Sequence, residues 1–109
     1  MPDSFLIFVS MPGLRTRDMQ HMPRLSALAA KGTARELVPS FPCVTSSVQA
    51  TMLTGQRPST HGIIGNGFYH RDRNEVELWI GRNGLVQGEQ IWDRLKSNDI
   101  TSAAWMTQN

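Results

Sequence analysis

Five consecutive apolar residues, Phe5-Leu6-Ile7-Phe8-Val9, constrain the fold of this chain more than any other feature. The run is bounded by Ser4 and Ser10 and closes at Met11-Pro12-Gly13. A strand points successive side chains to opposite faces, so a run without polar interruption has no face to give to water. Such a segment suits a strand buried on both sides, as in a parallel sheet covered by helices. It is far too short to span a bilayer, which takes about 20 residues. No basic segment of the kind that opens an export signal precedes it, so the expected location is cytoplasmic by default.

The rest of the chain reads as alternating elements. Pro23 suits the first turn of a helix, Leu25, Leu28 and Ala29 keep helical spacing, and Gly32 is placed to close it. Thr33 to Val38 reads as a second strand, interrupted by Pro39 and Pro42. Thr45 to Thr54 reads as a second helix, stopped by Gly55. Gln56 to Asn74 is rich in Gly, Pro, Ser, Thr, His and Asn and reads as a long functional loop. Glu75 to Trp79 alternates like a half-exposed strand, Asn83-Gly84 suggests a turn, Gln90 to Lys96 a short helix, and Ser102 to Met106 a final strand. Strands alternating with helices imply an α/β class with a largely parallel central sheet flanked by helices. Three or four strands with thin helical cover make a poor stand-alone domain. The expectation is therefore that residues 1–109 are the N-terminal part of a single larger catalytic domain, truncated where the last strand ends.

Composition narrows the classes of function. A 109-residue chain with 39% hydrophobic and 18% charged residues is globular, not disordered. Its net charge is +2 and its arginines are scattered, so no nucleic-acid-binding signature is present. One cysteine excludes an internal disulfide and a cysteine-rich zinc knuckle.

The stretch Pro39-Ser40-Phe41-Pro42-Cys43-Val44-Thr45-Ser46-Ser47 carries the chemistry. A proline-stiffened loop there delivers a hydroxyl to the first turn of a helix, where free N–H groups and a partial positive charge attract phosphate. Two readings of Thr45 stand. In one, Thr45 or Ser46 only caps the helix, Ser46 and Gln49 forming a capping box. In the other, Thr45 is a nucleophile, and with no histidine beside it in sequence its activation falls to metal ions. Cys43 lacks the arginine six positions on that a cysteine phosphatase needs, since Gln49 stands there, and it also lacks the Cys-x-Pro-x-Arg pattern of sulfatases. It reads as a small buried or half-buried filler. Asn66, between Gly65 and Gly67, reads as a turn residue with positive φ, or as a donor to a phosphate oxygen. His61, His21 and His70 are too widely spaced to complete two zinc sites.

These pieces resemble the nucleotide pyrophosphatase/phosphodiesterase branch of the alkaline phosphatase superfamily. The resemblance is carried by Leu6-Ile7-Phe8-Val9-Ser10, Gly13-Leu14-Arg15, Met22-Pro23-Arg24-Leu25, Pro39 through Thr45, Ala50 through Gly55, Pro58, His61-Gly62-Ile63, and Asn66 through Tyr69. It implies an alkaline phosphatase-like α/β fold and hydrolysis of a small-molecule phosphodiester or nucleotide pyrophosphate. It further implies two divalent metal ions, normally zinc, and a covalent intermediate on threonine. By resemblance Thr45 is the nucleophile and also a metal ligand, and Asn66 binds a phosphate oxygen of the substrate. The pattern departs at Pro12, which stands where the family has a metal-ligating aspartate. Asp18 lies nearby, and the remaining ligands are expected downstream of Asn109. The competing expectation is a non-catalytic domain of the same fold that binds phosphate or a protein partner.

Overall fold

The computed structural model describes residues 5–79 and 81–105, in two compact units divided between Val38 and Pro39. In the first unit the chain turns at Gly13, which takes φ +82°, and winds into a 3₁₀ helix, Thr16–His21. Helix α1, Pro23–Lys31, follows, with Pro23 in the first turn, where its missing N–H leaves no bond unmade. The Ser26 hydroxyl donates to the Met19 carbonyl at 2.6 Å and ties the two helices together. Gly32 closes α1 with its N–H on the Leu28 and Ala29 carbonyls, without left-handed geometry, since its φ is −119°.

The expected strand at Phe5 to Val9 does not form, and its five side chains are 65–86% exposed. Thr33 to Val38 is likewise not a strand, nor is Ser102 to Trp105, while Met106 lies outside the described residues. The reason is the non-local bonding of a sheet. A parallel strand must bond its N–H and C=O groups to neighbours reached through long crossovers. Among the described residues no strand pairs with these segments, and no parallel sheet is present.

The second unit holds what core there is. Helix α2, Thr45–Thr54, buries Ser47, Ala50 and Thr54 along one face. Gly55 closes it at φ +67°, its N–H on the Thr51 carbonyl at 2.9 Å. The segment read from sequence as a long loop contains helix α3, Pro58–His61, and strand β1, Gly67–His70. Proline at the start of α3 and left-handed Gly62 after its end were the local signals. One turn of helix is too short to show apolar periodicity.

Strand β1 pairs antiparallel with β2, Glu75–Leu78, placing Gly67 opposite Leu78 and His70 opposite Glu75. In β2 the usual sidedness is inverted: Val76 and Leu78 are exposed while Glu77 is half-buried. Its carboxylate accepts from Arg82 at 2.8 and 2.9 Å and pairs with His70 at 3.0 Å. The Arg82 guanidinium, with a smaller contribution from His70, holds Glu77 below the ordinary carboxylate range. A 3₁₀ turn, Asn83–Leu85, leads to helix α4, Ile91–Ser97, whose Asp93 accepts the Gln90 N–H at 3.0 Å.

Candidate active site at the start of α2

Residues Pro39 to Val44 lead into α2, and Val44 takes the extended conformation of a helix cap, at φ −122° and ψ 155°. Valine has no side-chain acceptor, and the expected capping box between Ser46 and Gln49 does not form. The acceptor comes instead from 20 residues downstream. The Asn66 side-chain oxygen receives the Ser46 N–H at 3.0 Å. It does so at the second residue of α2, where a helix leaves an orphan donor. The tertiary acceptor takes the place of the local one.

Asn66 is held from its other side as well. Its carbonyl accepts the Trp79 N–H at 2.6 Å, which extends the hairpin ladder by one bond. It is therefore an anchored residue just ahead of β1 and does not adopt the positive φ expected of a Gly-Asn-Gly turn. An N–H needs an acceptor, so the amide oxygen faces Ser46, and the NH₂ group remains the available donor. Thr45, half-buried at the first helical position, adjoins the amide that Asn66 caps. Thr45 and Asn66 are thus brought to the same helix end.

His61 closes α3 with none of its surface exposed. Its Nδ1 accepts the Ile63 N–H at 3.1 Å, which puts the ring proton on Nε2. Nε2–H then donates to Thr51 Oγ1 at 3.0 Å, and the Thr51 hydroxyl donates to the Ser47 carbonyl at 3.0 Å. Burial pushes the His61 pKa below its usual value, favouring the neutral ring that this bonding requires. Thr51 and His61 both fall within segments that carry the resemblance, but nothing in the sequence paired the two.

The metal half of a site is another matter. Among the described residues no group of three or more His, Cys, Asp and Glu side chains is placed to hold a metal ion. Pro12 offers no ligating side chain, and Asp18 is committed to Arg15, with bonds of 2.8, 2.9 and 3.0 Å to its side chain and backbone. The Arg15 side chain, then its backbone N–H, pulls the Asp18 pKa down. Cys43 is exposed on the loop before α2, contrary to its reading as a filler, because no element packs over that loop residue. The residues described do not by themselves fit a two-metal centre.

Residues 6–109 match the family model of type I phosphodiesterase/nucleotide pyrophosphatase, and the chain belongs to that family. It is 29% identical to an uncharacterized pyrophosphatase/phosphodiesterase of Schizosaccharomyces pombe, over 94% of this chain and 23% of that protein. It is 39% identical to ectonucleotide pyrophosphatase/phosphodiesterase 1 of Saccharomyces cerevisiae, over 65% of this chain and 8% of the yeast protein. Ectonucleotide pyrophosphatase/phosphodiesterase family member 7 of Homo sapiens is 35% identical, over 76% of this chain and 23% of its own length. The chain thus spans less than a quarter of these relatives. No solved structure gives a significant match. Family membership implies an alkaline phosphatase-like α/β fold. Among the described residues no helix is long and apolar enough to cross a membrane.

Proposed function

We propose that these residues form the nucleophile half of a hydrolase active site acting on phosphodiester or pyrophosphate bonds of a small molecule such as a nucleotide. The observation that carries the reading is the Asn66 side chain bonded to the amide next to Thr45, at a helix end suited to phosphate. Thr45 Oγ would attack phosphorus, forming the Oγ–P bond as the bond to the leaving oxygen breaks. The threonine proton is lost to solvent, and the leaving oxygen departs with the electron pair. Water then hydrolyses the phosphorylated threonine. The Asn66 NH₂ would donate to a non-bridging oxygen, where charge builds in the transition state.

Threonine is a weak nucleophile at its ordinary pKa. Two divalent ions, zinc by resemblance, would supply the activation, with Thr45 as one ligand and the other ligands in sequence beyond these 109 residues. In such a protein Phe5 to Val9 would take its place as a central strand of a parallel sheet, and this chain would be the N-terminal part of one catalytic domain. The second reading, a phosphate- or partner-binding domain without catalysis, draws on Pro12 and on Asp18 being taken by Arg15.

The test is a covalent adduct on the full-length protein. Incubated with zinc and a chromogenic phosphodiester and then acid-quenched, it should carry phosphoryl or nucleotidyl mass on the peptide containing Thr45. Thr45→Val should abolish adduct and turnover, while Thr45→Ser retains some of each. Hydrolysis by Thr45→Val at the parent rate would reduce Thr45 to a helix residue and overturn its assignment as nucleophile, whereas neither adduct nor turnover in the parent would leave the binding reading.

A further inference from the structure

His61 is the one fully buried ionisable side chain among the described residues, and the proposed chemistry does not use it. We propose that it is a positioning residue: through Thr51 and Ser47 it locks the first turns of α2 to the loop that presents Asn66. The inference rests on the roles given above to Thr45 and Asn66.

The bonding is directional at every step. The Ile63 N–H can only donate, so Nδ1 is the acceptor and Nε2 carries the proton to Thr51. Thr51 Oγ1 then sends its own hydrogen to the Ser47 carbonyl, in the same turn of α2 as Thr45. The Ser40 hydroxyl, 3.4 Å from Thr51 Oγ1, has the acceptor side of that oxygen left to it. A histidine kept only for bulk would not need both ring nitrogens committed.

The loop that follows His61 is fixed at both ends. The His61 carbonyl accepts the Gln87 N–H at 2.9 Å, and the Asn66 carbonyl accepts the Trp79 N–H at 2.6 Å. Between them Gly62 sits at φ +79°, where an added Cβ would lie 3.3 Å from the Gln87 side chain, and Ile63 is buried. This loop touches α2 at two points, His61 on Thr51 and Asn66 on Ser46. Five residues of helix separate them by about 7.5 Å. One bond alone would let the Asn66 amide pivot about the Ser46 N–H. Two bonds a turn and a half apart fix its direction.

The experiment uses full-length protein and two independent readouts, amide hydrogen exchange at Ser46 and steady-state kinetics. Thr51→Val keeps the shape of the side chain and removes the relay hydroxyl. His61→Gln keeps a donor near Nε2 and loses the acceptor at Nδ1. Each should speed Ser46 exchange about tenfold while amides of the β1–β2 hairpin are unchanged. Each should lower kcat about tenfold with little change in KM, the signature of a misaimed group acting at a distance. In an Asn66→Ala background, Thr51→Val should have no further effect on kcat. Unchanged exchange at Ser46 would overturn the proposal whatever the kinetics, and so would additive losses in the double variant, which mark a merely structural defect. Faster Ser46 exchange in a protein that cleaves no phosphodiester would support the coupling and overturn the hydrolase reading instead.

Discussion

Residues 5–38 contain the most apolar segment of the chain and bury none of it, whereas residues 39–105 contain all six buried residues described, four of them polar. The difference shows which structures a stretch of chain can complete from local material. A helix satisfies its interior backbone by itself and needs only a small surface to pack on. Helices α2 and α3 find that in Ala50 and Ile63, with Ser47, Thr54 and His61 filling the space between. A doubly covered strand has no local solution. Its backbone and both faces depend on partners distant in sequence.

The largest stability effect should come from the buried histidine. His61→Ala strands the Ile63 N–H and leaves a cavity, and should cost about 3 kcal/mol in chemical denaturation. Leu28→Ala on exposed α1 should stay within about 0.5 kcal/mol. Equal losses at the two sites would erase the contrast between the units.

Acidification probes the same histidine from another direction. Its pKa is lowered on folding, so the unfolded chain binds a proton first as pH falls. The stability it contributes is intact above about pH 6.5, the ordinary histidine value, and is lost as pH falls from there through the folded pKa. Urea midpoints measured across that range should drop for the parent, and the drop should shrink in His61→Gln. A parent profile that matched the variant would mean His61 is not held neutral.

Gly55→Ala should follow, at about 1–2 kcal/mol, since φ is +67° there and alanine resists left-handed backbone. Thermal melts would read it, and no change would mean that the end of α2 relaxes freely. The smallest effect should be Ile7→Asp in the 109-residue chain, within about 0.5 kcal/mol, because Ile7 is 71% exposed. In the full-length protein the same change should be severe if Phe5 to Val9 is there a central strand. A mild effect in both would break the proposed fate of that segment.

What could be read from sequence divides along the same line. The span of α2, its stop at Gly55 and the start of α1 at Pro23 were legible because caps and breakers act within a few residues. The hairpin strand β1 was not, because pairing with β2 and not its own pattern makes it a strand. The capping box was misread for a physical reason: Asn66 supplies the acceptor to Ser46 from 20 residues away. The same distant bond explains why Asn66 is anchored instead of turning at positive φ. Thr45 and Asn66 were candidates from their local setting as well as by resemblance, and their shared helix end is a tertiary fact. Thr51 and His61 sit in segments that carry the resemblance, but their bonding to each other and to Ser47 is a tertiary fact that the sequence did not show.

The central claim is that the amide of Asn66, aimed from its bond to Ser46, does chemistry beside Thr45. Its most direct test is kcat/KM of Asn66→Ala in the full-length protein against a responsive phosphodiester, with folding checked by circular dichroism. The account predicts a loss of about 10²-fold with the fold intact, the usual consequence of removing one oxyanion donor. An intact fold with unchanged kcat/KM would contradict it and leave Asn66 as the cap of α2 alone.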